Sequence, residues 1–178
     1  MTDQTFIEDI LDRLATDRSL HIPGSSQCEA LEAQLRSVFA DAVDRRIQAG
    51  DLLDFKWPYR SFGVRSTNHL LDLPTFISLA FYAGNRNRYR TVFDIGANAG
   101  MHTLGLSKLG FRVFAFEPDP VHLEMLRESI KLNQTENVTV IPKAVWNESG
   151  TTTFVRVDQN TTASHIKGTK NGYGDLTE

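Results

Sequence analysis

An α/β fold, built on a parallel sheet with crossover helices, is predicted by three features of the sequence. From residue 91 onward, short apolar runs alternate with amphipathic segments of helical period, the pattern of strands joined through helices. Glycine and proline fall between these segments, at Gly110, Pro118 and Pro120, where such elements must stop and start. Before residue 68 the only sustained period is helical. These changes divide the chain into a helical extension with a connector (1–67), an α/β domain (68–157) and a polar tail (158–178).

Composition sets the outer bounds. A chain of 178 residues, 40% of them hydrophobic, can bury one compact core. The net charge of -3 gives no global attraction to nucleic acid or to an anionic membrane. Cys28 is the single cysteine, so neither an intramolecular disulfide nor a cysteine-based metal site is expected, and the thiol reads as a small buried side chain. The start, Met1-Thr2-Asp3-Gln4-Thr5, lacks the basic and then apolar character of a secretory signal. No stretch is apolar for the ~20 residues of a membrane-spanning helix. A cytoplasmic protein with no membrane and no nucleic-acid partner is the expectation.

In the extension, Phe6, Ile7, Ile10, Leu11 and Leu14 recur at helical spacing, as do Leu31, Leu35, Val38, Phe39, Ala42, Val43 and Ile47. Two helices are predicted, split by Ile22-Pro23-Gly24-Ser25-Ser26, with the second ending at Gly50. Residues 51–68 carry no clear period and read as a connector. Asp72 and Pro74 announce a third helix, carrying Phe76, Ile77, Leu79, Ala80 and Phe81 to Gly84. Arg86, Arg88 and Arg90 after it read as a solvated charge run.

The α/β part is predicted as follows. Thr91–Ile95 is a buried strand, Ala99–Leu109 a helix closed by Gly110, and Phe111–Glu117 a second strand. Pro118 and Pro120 open a helix to Asn133, capped by Asp119, with Val121, Leu123, Leu126 and Ile130 inward and His122 outward. Asn137–Ile141 is a third strand. A turn at Asn147-Glu148-Ser149-Gly150 precedes a polar strand, Thr151–Val157. The arrangement is Rossmann-like. The tail has few large apolar side chains, so it is expected to be mobile.

The chemistry concentrates at Asp94-Ile95-Gly96-Ala97-Asn98-Ala99-Gly100, a strand ending in an acid, then a small-residue turn, then a helix start. Gly96 suits a positive φ, and both Gly96 and Gly100 suit a turn wrapped on a ligand, where a bulkier residue would occupy the ligand's space. The spacing of these glycines decides between ligands. A dinucleotide turn, G-x-G-x-x-G, wants glycine where Asn98 stands. A phosphate loop needs a lysine and then Ser or Thr after its second glycine, which Gly100-Met101-His102-Thr103 lacks.

S-adenosylmethionine makes different demands, because it has a cationic amino group and a carboxylate but no phosphate. Asp94 can attract the amino group, and the amides from Asn98 to His102 can meet the carboxylate at a helix start. Glu117 stands 23 residues after Asp94, at the end of the next strand, where it can accept from both ribose hydroxyls. With Asp119 as the cap, Glu117 is left free for a ligand.

Three blocks carry a family resemblance: Val92-Phe93-Asp94-Ile95-Gly96-Ala97-Asn98-Ala99-Gly100-Met101-His102-Thr103, Phe116-Glu117-Pro118-Asp119-Pro120, and Lys143-Ala144-Val145-Trp146-Asn147-Glu148-Ser149-Gly150. Residues 68–157 resemble the FkbM family of class I S-adenosylmethionine-dependent methyltransferases. The resemblance implies O-methylation of a hydroxyl on a sugar, glycan or natural product. It assigns Asp94, Gly96, Asn98, Gly100 and Thr103 to the methionine side of S-adenosylmethionine, Glu117 to the ribose, and Ala144 and Val145 to the adenine surroundings; Ala97, Met101, His102 and Pro118, within the same blocks, are also expected to line the cofactor. Lys143 departs from the acid that many methyltransferases carry before that alanine.

Family members continue with a Lys-Ile-Asp-Val-Glu-Gly-like segment on a fourth strand, which is missing from this sequence. The expected sheet is therefore incomplete on its C-terminal side and leaves an exposed edge, to be completed by a second chain or a further C-terminal segment. No metal is expected. No catalytic base is assigned: His102 and His122 are nearest in sequence, and His21, His69 and His165 fall in segments that the pattern does not place. Two other functions stay open, a truncated cofactor-binding protein without turnover and, ranked lower, an NAD-dependent oxidoreductase.

Overall fold

The computed structural model describes residues 3–39, 46–49, 53–56, 71–157, 164–169 and 176–177. Ala42, Val43, Gly50 and most of the 51–68 connector lie outside them.

Helix α1 spans Asp3–Thr16 and α2 Ser26–Phe39, with a single 3₁₀ turn, Arg18–His21, between them. Phe6, Ile7, Ile10, Leu11 and Leu14 of α1 are buried, together with Cys28, Leu31 and Leu35 of α2. Helical spacing thus reads the inner faces correctly. The second helix does not run on to Ile47. Residues Arg46–Ala49 instead form strand β1, antiparallel to β2 (Leu53–Lys56), with Ile47 opposite Phe55. Four residues are too few to reveal a period, so the strand borrowed the helix's apolar register.

Strand β2 is held from far along the chain. The Asn133 carboxamide accepts from the Lys56 N–H at 2.6 Å and donates to the Lys56 carbonyl at 2.7 Å. The side chain thus satisfies one residue of β2 as a neighbouring strand would. Helix α3, Leu73–Asn85, begins as its sequence dictates, with Asp72 accepting from Thr75 N–H at 3.0 Å and proline in the first turn. Phe76, Leu79 and Ala80 face inward, whereas Phe81 is exposed. Arg86, Arg88 and Arg90 are all exposed.

Strands β3 (Thr91–Ile95), β4 (Arg112–Phe116) and β5 (Val138–Ile141) form a parallel sheet in that order. Helix α4 (Met101–Lys108) joins the first pair and α5 (Pro120–Asn133) the second. The fold is therefore α/β, with the predicted Rossmann-like alternation. Both crossover helices cover one face. Val92 and Val113 join the core that contains Leu104 and Leu106 of α4, while Ala115, Val138 and Val140 pack with Leu126 and Ile130 of α5. The apolar core runs without a break from α1 and α2 through α3 to α4 and β4.

Strand β3 departs from expectation. It was predicted buried, but Phe93 and Ile95 are 64% and 62% exposed. The reason is topological: β3 is an outer strand of the sheet, and its odd-numbered residues lie on the face opposite the helices. The Phe93 ring meets Phe114 and Phe116 edge-on at centroid distances of 5.5 and 5.9 Å on that face.

Beyond residue 150, β6 (Phe154–Val157) pairs antiparallel with β7 (His165–Ile166) and β8 (Leu176–Thr177) in a separate sheet. Within the polar tail, His165–Ile166 and Leu176–Thr177 are therefore strands. Backbone pairing to β6, whose Val155 and Val157 are buried, supplies the order that apolar content alone does not. Among the described residues, no helix is long and apolar enough to cross a membrane.

Candidate functional site

The C-terminal ends of β3 and β4 meet at the turn that leads into α4. Two amides of the turn, of Gly96 and Ala97, donate to the Phe116 carbonyl at 2.9 and 3.0 Å. The chain then reverses through three positive φ angles, +80° at Gly96, +52° at Asn98 and +97° at Gly100. Asparagine is one of the few side chains that tolerate this region, and the Asn98 carboxamide accepts from Ala99 N–H at 2.6 Å. Gly100 is the cap residue of α4. Ser129, buried on α5, donates to the Ala99 carbonyl at 3.0 Å and fixes the turn from below.

The two glycines serve different ends. A Cβ at Gly96 would point into open space, which is where a ligand can approach the backbone. A Cβ at Gly100 would lie 2.6 Å from Leu126 Cδ1. The expectation that Gly100 clears space for a ligand is therefore corrected, because its space is taken by α5.

The two predicted acids end up on either side of the turn. Asp94, half-buried, accepts from the Thr103 hydroxyl at 2.5 Å, a contact that joins the end of β3 to the first turn of α4. Thr103 itself is fully buried. Thr103→Val removes this donor and is expected to cost about 1–2 kcal/mol of stability, measurable from the midpoint of urea unfolding.

Glu117 is 4% exposed. One of its oxygens accepts from Asn98 N–H and the other from Asp119 N–H, both at 2.8 Å. The cap falls to Asp119 as expected, and both Glu117 oxygens are engaged by backbone amides. A carboxylate this buried needs donors, and the nearest are the amides on either side of it. Glu117 thereby pins the cofactor-type turn to the β4–α5 loop.

Asp119 caps α5 as predicted, accepting from Val121 N–H at 2.8 Å. Its second oxygen lies 3.2 Å from Arg156 Nε of β6, an ion pair whose acid is fully buried. His122 was expected to face outward but is buried, with Nδ1 4.0 Å from Glu117 and 3.9 Å from Asp119. Its ring sits inside the acidic corner that its sequence position hid.

A group from outside the predicted motif joins the site. Tyr82 of α3 lies with its hydroxyl 3.2 Å from His102 Nδ1, the two rings edge to face at 5.9 Å. Burial, and after it the negative charge of Asp94, holds the Tyr82 phenol above its ordinary range, against an opposing hydrogen bond with Ser78. No local signal marks Tyr82, because its partner is 20 residues away and is reached only by the packing of α3 on α4. The His102 ring is engaged by this phenol.

The structure thus joins Asp94, Gly96, Ala97, Asn98, Gly100, Thr103 and Glu117 in one hydrogen-bonded turn, with Met101 and His102 in the helix start. Pro118 is half-buried in the loop that Glu117 pins. Ala144 and Val145 follow β5, the strand farthest from β3, and Val145 is exposed.

No family model matches the chain. Among solved structures, it is similar to a precorrin-6y C5,15-methyltransferase from Geobacter metallireducens GS-15, at 27% sequence identity and a TM-score of 0.32. That match covers 36% of this chain and 36% of the other, so the matched part spans about a third of that protein's length.

Proposed function

We propose that the β3–α4 turn binds S-adenosylmethionine and that the chain is the cofactor-binding part of a methyltransferase acting on a hydroxyl of a sugar, glycan or natural product. One observation carries the reading. The Asn98 amide is bonded to Glu117 at 2.8 Å, so an acid at the end of β4 lies across the turn from Asp94 at the end of β3. Two carboxylates flanking a helix start suit a ligand with a cationic head and a diol, and suit a pyrophosphate poorly. The open space in front of Gly96 fits a ligand laid against the backbone.

In this reading Asp94 holds the amino group, and the first amides of α4, which a helix leaves without intrahelical acceptors, meet the carboxylate. Each Glu117 oxygen accepts one amide and keeps a lone pair for a ribose hydroxyl. The bound cofactor supplies a methyl group on a sulfonium, open to in-line displacement. The protein's part is to hold that ligand in one orientation while the acceptor hydroxyl approaches. The acceptor's own contacts, and the group that takes its proton, come from polypeptide beyond the turn, in a second chain or a further C-terminal segment.

Titration calorimetry with S-adenosylmethionine, S-adenosylhomocysteine and NAD tests the cofactor. Binding of the two sulfur compounds is expected, weakened by about 1–3 kcal/mol in Asp94→Asn. Binding of NAD alone would overturn the reading. Release of S-adenosylhomocysteine with candidate sugars separates an enzyme from a protein that only binds.

A further inference from the structure

Tyr82 and His102 have no role in the proposed grip on the ligand, although a close helix contact brings them together. A Cβ at Gly105 would lie 2.5 Å from Leu79 Cδ2, so α3 and α4 approach where only glycine leaves room. Leu79 lies against Gly105 and Tyr82 against His102, so α3 climbs toward the turn as α4 descends from it. The phenol is thereby carried to the second residue of α4, with its hydroxyl 3.2 Å from His102 Nδ1. Both side chains belong to half-buried residues. The other ring nitrogen, His102 Nε2, has no partner among the described residues.

In the proposed grip, Asp94 and Glu117 serve the cationic head and the diol. The carboxylate of the ligand is left with backbone amides alone. The charge of Asp94 reaches Tyr82, so an anion beside this pair feels it as well. A side-chain donor offsets that repulsion, and the imidazole can be one.

We propose that His102 Nε2 donates to the carboxylate of S-adenosylmethionine and that Tyr82 is the positioning residue that holds the ring for it. This role rests on the cofactor reading above, to which it adds a side-chain donor. A neutral imidazole has one ring proton, and the hydrogen bond at one nitrogen sets which nitrogen carries it. The phenol keeps its own proton at neutral pH, because burial and Asp94 hold it above its ordinary range. It donates that proton to Nδ1, which leaves the imidazole proton on Nε2, the form that an anion requires. The edge-to-face contact fixes the plane of the ring. Without the hydroxyl, the imidazole can carry its proton on Nδ1 and present a lone pair to the anion instead.

Titration calorimetry on the full chain tests this with two ligands, S-adenosylmethionine and its decarboxylated analogue, which keeps the amino group and the sulfonium. His102→Phe keeps a ring against Tyr82 and is expected to weaken S-adenosylmethionine at least about tenfold while leaving the analogue unchanged. His102→Gln returns a donor near the position of Nε2 and is expected to recover part of the loss. Tyr82→Phe is expected to cost about three- to tenfold, again for S-adenosylmethionine alone. In the His102→Phe background it is expected to cost nothing further, because Tyr82 acts through His102. Equal weakening of both ligands, or of neither, in variants that melt like wild type overturns the proposal. So does a Tyr82→Phe loss that persists in the His102→Phe background. A wild type that binds neither ligand overturns the cofactor reading itself, and this role with it.

Discussion

Glu117→Ala is expected to cost about 3 kcal/mol of folding stability and to abolish measurable cofactor binding with it. The carboxylate accepts the amides of Asn98 and Asp119 from an almost fully buried position. Truncation leaves two donors facing a void. Each buried unsatisfied group costs about 1–3 kcal/mol, offset in part because a buried charge is also removed. Glu117→Gln keeps the shape but swaps one acceptor oxygen for an NH₂ group, which opposes an N–H donor, so it is expected to recover less than half of the loss. Urea unfolding read beside calorimetry separates the two roles. A variant of wild-type stability that had lost binding would make Glu117 a ligand group alone, and a fully stable variant that still bound would remove it from the site.

Gly100→Ala is expected to be nearly as damaging, at about 3 kcal/mol. The residue sits at φ +97°, and its Cβ would lie 2.6 Å from a methyl of Leu126. The backbone strain is worth about 1–2 kcal/mol. Leu126 is fully buried, so its side chain has little room to give, and crowding adds about 1–3 kcal/mol. Gly96→Ala is the contrast. At φ +80° it meets nothing within 4 Å, so only the backbone cost of about 1–2 kcal/mol remains, and the loss is expected in ligand affinity instead. Thermal unfolding of the pair checks this. Equal destabilisation by both would mean that the turn's conformation, and not α5, sets the demand at Gly100.

The sheet and its crossovers were legible because each strand is a short apolar run set between strong punctuation, and because Asp72 and Asp119 are local caps whose partners lie two or three residues away. What was not legible is what depends on distant partners. Ile47 continues a helical register until its pairing with Phe55 makes it a strand. The pairs β7 and β8 are two residues long, too short to carry any period. The exposure of Phe93 follows from the order of strands in the sheet and from helices lying on one face. In the site, glycine spacing and two acids found the turn, since both are close in sequence to what they serve. The bond from Asn98 to Glu117, the burial of His122 and the approach of Tyr82 each arise from packing between elements that the sequence lists far apart.

Asp119 has one carboxylate and two obligations. One oxygen caps α5, and the other meets Arg156 of β6, while the residue's own amide is bound to Glu117. The β6 sheet and the turn at Gly96 are therefore not independent parts of the surface. They are the two ends of a lever whose pivot is the loop from Glu117 to Asp119. Arg156 of β6 is joined to Asn98 through two buried acids, Asp119 and then Glu117, which gives sequence far from the turn a purchase on its shape.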